Sequence, residues 1–319
     1  MSAHSLRHSL RSTGHARSEE LQSFAAQPAR IGTSVGHDYR LVRQLASGGM
    51  SEVYLAEHVR TGAYAAVKLH AMRGPARVGL LAHEAALLSR VQHPNVVRAL
   101  DRGRLRDGTE YLVLEQVTGI DLADYLSHCG KLPPPRALHV LRQLASAVDH
   151  LHGVGIVHSD IKPANLMLDT HRGDLLKLID FGVAFDLETE RERRGSAGTP
   201  GYMAPEQLRG EACSPSTDRY AVAAVGHELI TGRARQGVSP LKCKRGKGRA
   251  PGAVDLPGAR CAVPGFGIIF ERALHEDPSL RFSTALAFVN ALERAQTRAS
   301  TPAPAPTALD VRRRRARVR

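Results

Sequence analysis

Eight consecutive residues, His158-Ser159-Asp160-Ile161-Lys162-Pro163-Ala164-Asn165, put a carboxylate, an ammonium and an amide into one short stretch. Downstream, Ile179-Asp180-Phe181-Gly182 adds a second carboxylate at a strand end, followed by a glycine. Phosphoryl transfer asks for such a set. A carboxylate orients and deprotonates an alcohol, a cation offsets charge on the moving group, and hard oxygen ligands hold Mg²⁺. A chance match to both runs, in this order and spacing, is remote. Two weaker features lie upstream. The run Ala46-Ser47-Gly48-Gly49-Met50-Ser51-Glu52-Val53 has small residues that let a backbone approach an anion and present N–H groups to it. By itself, a glycine-rich hairpin is ordinarily only a turn. Lys68 follows Ala66 and Val67 in an apolar strand, where an unpaired ammonium is costly. Glu84 is its natural partner, although a snorkelling lysine reads as well in isolation.

The elements around these residues follow from periodicity. Tyr39–Ala46, Val53–His58 and Ala63–Leu69 are short β-rich runs separated by Gly48-Gly49 and Thr61-Gly62, which predicts an antiparallel meander. Leu80, Leu81, Ala85, Leu87, Leu88 and Val91 are spaced for one buried helix face that ends at His93-Pro94-Asn95. Val96–Leu100 and Tyr111–Gln116 read as strands around Asp107-Gly108. Beyond Gly119 the pattern is mostly helical: Leu122–Cys129, Ala137–Gly153, Asp218–Thr231, Phe266–His275 and Ala285–Ala295, with Pro133-Pro134-Pro135 just before the second. Val157–Asp180 reads as loop and short strands. A small β-rich part therefore precedes a larger helical one, with the junction near Glu115–Gly119.

Composition sets the outer limits. The chain has 319 residues, 42 % hydrophobic and 24 % charged, which excludes disorder throughout. Trp is absent and aromatics are 4 %, so the core rests on Leu, Val and Ala. Lys+Arg is 44 against Asp+Glu 31, a net charge of +13 that suits an anionic partner without saying which. Cys129, Cys213, Cys243 and Cys261 form no C-x-x-C pair and fit no zinc site; they read as reduced thiols of a cytoplasmic protein. No apolar stretch of ~18 residues predicts a membrane helix, and the N-terminus lacks an apolar secretory core. Its acid-free start resembles an organelle transit peptide only faintly, and a disordered tail is the preferred reading. The expected organisation is a flexible arm over 1–36, a catalytic domain over 37–296 split into lobes 37–116 and 117–296, and a Pro/Ala-rich, then Arg-rich tail over 297–319.

Taken together, these motifs resemble the bacterial eukaryotic-like (Hanks-type) Ser/Thr protein kinases, over about residues 38–295. Gly198-Thr199-Pro200-Gly201-Tyr202-Met203-Ala204-Pro205-Glu206 is similar to the end of that family's activation segment, and Asp218 and Arg281 match its late structural Asp and Arg. The resemblance implies an α+β, bilobal protein kinase-like fold with a small β-rich N-lobe and a larger, mainly α-helical C-lobe. It also implies ATP as the nucleotide, with Mg²⁺ or Mn²⁺. Ala46, Ser47, Gly48, Gly49, Met50 and Ser51 would cover the phosphates. Val53, Ala66, Met167 and Ile179 would enclose the adenine, and Glu115 and Val117 would hydrogen-bond its edge behind a gatekeeper at Leu114. Lys68, braced by Glu84, would hold the phosphates, and Asp121 would reach the ribose. Asp160 would be the catalytic base, Lys162 would steady the γ-phosphate, and Asn165 and Asp180 would bind metal. Thr199, Glu206, Asp218 and Arg281 would be structural, with Glu206 and Arg281 forming a buried ion pair and Asp218 anchoring the catalytic loop. Lys162 two residues after the base, together with Thr199, points to Ser/Thr rather than Tyr in protein substrates, with autophosphorylation expected at Thr189 or Ser196.

Three departures stand out. Ala46 replaces the first loop glycine, at a cost of roughly 1 kcal/mol or more if φ must be positive. Ser159 replaces the arginine that usually precedes the base and pairs with activation-loop phosphate, so such phosphorylation should matter less. Arg191, Arg193 and Arg194 would stand in as partners, or form only a solvated basic loop. Finally, the basic stretch 233–262 replaces an aromatic-bearing docking region. The terminal run Arg312–Arg315 could bind nucleic acid or anionic lipid, although charge runs are ordinarily just solvated. The alternatives are a pseudokinase scaffold, disfavoured because Lys68, Asp160, Asn165 and Asp180 are all present, and a small-molecule phosphotransferase, disfavoured by Gly198–Glu206. A nucleic-acid binder rests on charge alone, and a homodimer is a further assembly open to this chain.

Overall fold

Local patterning builds two compact units: one of residues up to Ala82 with Leu100–Gln116, the other of His83–Ala99 with the residues from Val117. The computed structural model describes residues 30–48, 51–70, 79–190, 198–233 and 263–300. Gly49, Met50, Arg191, Arg193, Arg194, Ser196, Cys243 and Cys261, nearly all of the 233–262 stretch and both basic termini lie outside them.

The first unit is a six-stranded sheet of β1 (Ser34–Val35), β2 (Tyr39–Ser47), β3 (Ser51–His58), β4 (Tyr64–His70), β5 (Ala99–Arg104) and β6 (Glu110–Glu115), in the order β1-β2-β3-β4-β6-β5. Alternation with a period of two sends Tyr54, Ala56, Ala65, Val67 and Leu69 into a core with Val35, Leu41, Tyr111 and Val113. The opposite face of the same strands carries Val53, Leu55, Ala66 and Lys68, all partly exposed. The meander is as expected, but the fifth strand is not. It begins at Ala99, while Val96 bridges Leu178 in the second unit. Val35, placed by the sequence in the flexible arm, is fully buried in the sheet.

In the second unit, the chain past α1 (Leu80–Ser89) forms β7 (Ile120–Asp121), α2 (Leu122–Cys129), α3 (Pro134–Gly153), β8 (Ile156–Val157), β9 (Leu166–Asp169), β10 (Leu175–Leu178), β11 (Phe185–Asp186), α4 (Pro205–Leu208), α5 (Pro215–Thr231), α6 (Phe266–Ala273) and α7 (Ala285–Ser300). Pro134 and Pro135 are the first turn of α3 rather than its prelude, since a missing N–H costs nothing there. The long helices α3 and α5 form the core. A Cβ on Gly226 of α5 would sit 2.9 Å from Leu141 Cδ1 of α3, so glycine allows the close approach. The few aromatics gather nearby, where Phe270 stacks edge-on against Phe288 and His227. Asp149 of α3 accepts the Ala285 and Leu286 amides at 2.8 and 2.9 Å, capping α7. That helix continues to Ser300, into the stretch expected to be tail.

Candidate active site

The loop between β8 and β9 is pinned at both ends. β8 pairs antiparallel with β11, and β9 lies between β7 and β10. Ile161, Pro163 and Leu166 are buried and anchor the loop; Lys162 between them stays partly exposed, while Asn165 is buried. Lys162 Nζ donates to Asp160 Oδ2 at 2.7 Å and to Thr199 Oγ1 at 2.8 Å, and the Thr199 hydroxyl lies 3.4 Å from Asp160 Oδ1. Asn165 Nδ2 donates to the Asp160 carbonyl at 2.9 Å and to its carboxylate at 3.2 Å. Asp160 and Lys162 side chains keep 13 % and 23 % exposure, so the carboxylate is constrained yet reachable. Ile179 N–H donates to the Asn165 carbonyl at 3.1 Å, which brings the Asp180 stretch beside this loop. Gly182 N–H caps Asp180 Oδ1 at 3.1 Å, and Phe181 N–H donates to buried Glu84 at 3.3 Å.

Beneath the loop sits Asp218 at the start of α5, 1 % exposed. Its two oxygens accept the His158 and Ser159 amides, each at 2.8 Å, and Oδ2 also meets His152 Nε2 at 2.9 Å. Burial works to raise the Asp218 pKa, but hydrogen bonding and charge from His152 and His158 outweigh it and hold it below the ordinary carboxylate value. Burial pushes the His158 imidazole below its ordinary value, and the ring packs edge-on against Phe181, 4.9 Å away. The Glu206–Arg281 pair is fully enclosed, bidentate at 2.8 Å on both arms. Thr217 also donates to Glu206 at 3.1 Å. Tyr202 donates to Glu228 at 2.5 Å, fixing the residues before α4 onto α5.

Other expected positions are distributed as follows. Ala46, Val53, Lys68 and Leu112 form one cross-strand row, with Ala66 paired to Leu114 and Ala65 to Glu115. Gly48 N–H closes the hairpin on Ser51 O at 3.0 Å, and Ser47 pairs with Glu52. Ala46 lies in extended strand; among the described residues only Ser159 and Asp174 combine a side chain with positive φ, so the missing loop glycine brings no backbone strain. In the second unit Met167 pairs with Asp121, whose carboxylate caps α2 through the Asp124 amide at 2.8 Å. Val117 lies just before β7. Thr189 is exposed in the turn after β11. The sequence reading missed His152 and Gln207. Gln207 donates to the Ser159 carbonyl at 2.8 Å. Neither carries a local signal, because the partners lie 66 and 48 residues away.

The Protein kinase domain family matches residues 39–250. The serine/threonine-protein kinase PknH of Mycobacterium bovis is 35 % identical over 271 residues, 82 % of this chain and 44 % of that protein. The serine/threonine-protein kinase PrkC of Bacillus subtilis is 36 % identical over 208 residues, 64 % of this chain and 32 % of its own length. The chain therefore spans less than half the length of these relatives. Among solved structures, the PknI kinase domain of Mycobacterium tuberculosis superimposes with a TM-score of 0.62 at 25 % identity, covering 84 % of this chain and 100 % of that one. Bilobal kinase architecture, the polar loop after β8 and these likenesses agree, and the chain belongs to the protein kinase family, among its bacterial Hanks-type Ser/Thr members.

Proposed function

We propose that this chain transfers the γ-phosphoryl group of ATP to Ser and Thr hydroxyls of proteins, itself included. The observation that carries this reading is the joining of Asp160, Lys162 and Thr199 by hydrogen bonds of 2.7, 2.8 and 3.4 Å. Asp160 accepts the proton of the attacking hydroxyl. Lys162, already bonded to it, offsets charge that gathers on the transferred oxygens. Thr199 ties this pair to the segment that would hold a peptide, which favours a protein substrate. The donor set also suits a hard cation. The Asn165 amide nitrogen is spent on Asp160, leaving its oxygen as the ligand atom, and Asp180 adds a carboxylate. Two protein ligands leave the remaining coordination positions to water and substrate phosphates, the usual way Mg²⁺ is held. Mg²⁺, or Mn²⁺ in its place, supplies charge neutralisation of the triphosphate when bound.

In the first unit, Val53, Ala66 and Lys68 are assigned to the nucleotide, Lys68 to its phosphates; in the second, Glu84, Val117, Asp121, Met167 and Ile179 complete the assignment by resemblance. Autophosphorylation at Thr189 or Ser196 and a cytoplasmic place of action belong to the same reading. Incubation with γ-labelled ATP and Mg²⁺ tests it. The native chain labels itself or a generic protein on Ser/Thr, while Asp160→Asn, Asp180→Asn and Lys68→Met fall by roughly 100-fold or more. Equal labelling by all four proteins contradicts the assignment, and peptide mapping that finds label only in the tails removes Thr189 and Ser196.

A further inference from the structure

The turn that presents Asp160 is strained, and its strain is held from a distance. Ser159 has φ +67°, a left-handed conformation that side-chain-bearing residues avoid. Its own hydroxyl does not explain this, since Ser159 Oγ is buried without a hydrogen-bond partner among the described residues. The backbone is instead gripped on both sides. Ser159 N–H donates to Asp218 Oδ1 at 2.8 Å, and Ser159 C=O accepts from Gln207 Nε2 at 2.8 Å. Gln207 is 2 % exposed, and its Oε1 accepts the Ala204 N–H at 3.0 Å. One buried amide thus joins the segment ending at Glu206 to the peptide bond immediately before Asp160. The N–H of that same peptide lies 3.3 Å from His158 Nδ1.

We propose that Gln207 is a positioning residue for phosphoryl transfer: by fixing the plane of the Ser159–Asp160 peptide it aims the Asp160 carboxylate and links that aim to the seating of the 198–206 segment. The inference rests on the Ser/Thr kinase reading. A peptide plane is a rigid lever. Rotating it moves the side chain that follows, and displacements near 1 Å at a reacting group cost up to about 100-fold in rate. The Glu206 and Thr217 bonds beside Gln207 run to Arg281 and to each other, not to Ser159, and among the described residues Gln207 is the side chain that donates to this carbonyl.

The full chain is assayed with Mg²⁺-ATP and dephosphorylated casein as a generic Ser/Thr substrate, with Asp160→Asn as the background. Gln207→Met keeps the volume and removes both bonds. Its kcat falls by roughly ten- to 100-fold, with KM for ATP within about twofold of native. Adding Ser159→Gly, which makes the left-handed turn cheap, raises kcat of the Gln207→Met chain severalfold toward native. Gln207→Glu keeps an acceptor for Ala204 but has a donor for Ser159 only when protonated. Its kcat relative to native therefore climbs as pH is lowered from about 8.5 to about 6, an ionisation absent from the native ratio. Should Gln207→Met fail to fold, this pH profile decides. Native-like kcat in both variants, a loss confined to KM, or a flat Gln207→Glu ratio overturns the positioning role while leaving the kinase reading intact. A native chain no more active than Asp160→Asn overturns both.

Discussion

Arg281→Met measures how much the buried ion pair contributes. All five guanidinium N–H groups are committed: Nη1 to Glu206 Oε1 and Ser216 O at 2.8 and 3.0 Å, Nη2 to Glu206 Oε2 and Glu276 O at 2.8 and 3.2 Å, and Nε to His275 O at 2.8 Å. The side chains of Arg281 and Glu206 are 0 % and 4 % exposed, so water cannot substitute for either. Methionine fills much of the volume but leaves the Glu206 carboxylate buried with the Thr217 hydroxyl, and three carbonyls lose a donor. Breaking one side of such a pair costs about 3–5 kcal/mol. At about 2–4 °C per kcal/mol for a domain of this size, Tm falls by roughly 6–20 °C. Loss of the guanidinium over buried Tyr220, 4.9 Å from the ring centroid, adds about 2 kcal/mol. Thermal and urea unfolding followed by far-UV circular dichroism read the loss. The decisive arm is Glu206→Gln with Arg281→Met. If an uncompensated charge is the cause, the double variant is more stable than Arg281→Met alone. A Tm shift under ~2 °C, or a double variant whose loss is the sum of the two single losses, refutes the reasoning.

Acid should destabilise the fold through two histidines, one buried and one partly exposed. Burial holds His93 and His158 below the ordinary value of about 6.5, with His150 and Lys177 adding to the effect at His93. The unfolded chain then binds more protons than the folded one. Stability is level above about pH 7 and falls as pH drops through ~6.5, by up to ~1.4 kcal/mol per pH unit for buried His158 and by less for the partly exposed His93; urea midpoints that rise on acidification exclude this, and His93→Gln should flatten the slope. Asp218, held low by His152 and His158, acts in the same direction over a lower range: its contribution persists above about pH 4 and is lost only below. Gly103→Ala would place a Cβ 2.6 Å from the Tyr111 hydroxyl, and a Cβ on Gly36 would stand 2.7 Å from the same atom, so the buried ring is closely confined. The expected loss is about 1–3 kcal/mol by urea titration, and an unchanged midpoint shows that the ring can move. Asp149→Ala removes both amide caps of α7, for ~0.5–2 kcal/mol of stability, with amide hydrogen exchange at Ala285 and Leu286 as the local readout; unaltered protection there rules out the cap.

Much of the site was legible because its chemistry is local. Asp160, Lys162 and Asn165 fall within one short loop, so residue type and spacing alone bring their charges together. Strand periodicity in β3 and β4 and the apolar faces of α2 and α3 were likewise readable, since burial leaves its period in the residues that are buried. Resemblance, not periodicity, supplied the pairing of Glu206 with Arg281, 75 residues apart.

Other features were settled only by tertiary packing. The left-handed Ser159, the His152–Asp218 bond and the Gln207 grip on the Ser159 carbonyl depend on segments 48 to 66 residues apart being packed against one another. The same is true of Val96, whose apolar run reads as a strand in the first unit but bridges Leu178 in the second. Sequence pattern records which side chains leave water. It does not record which distant backbone group a buried amide will meet, because that choice is made only when packing removes every alternative partner.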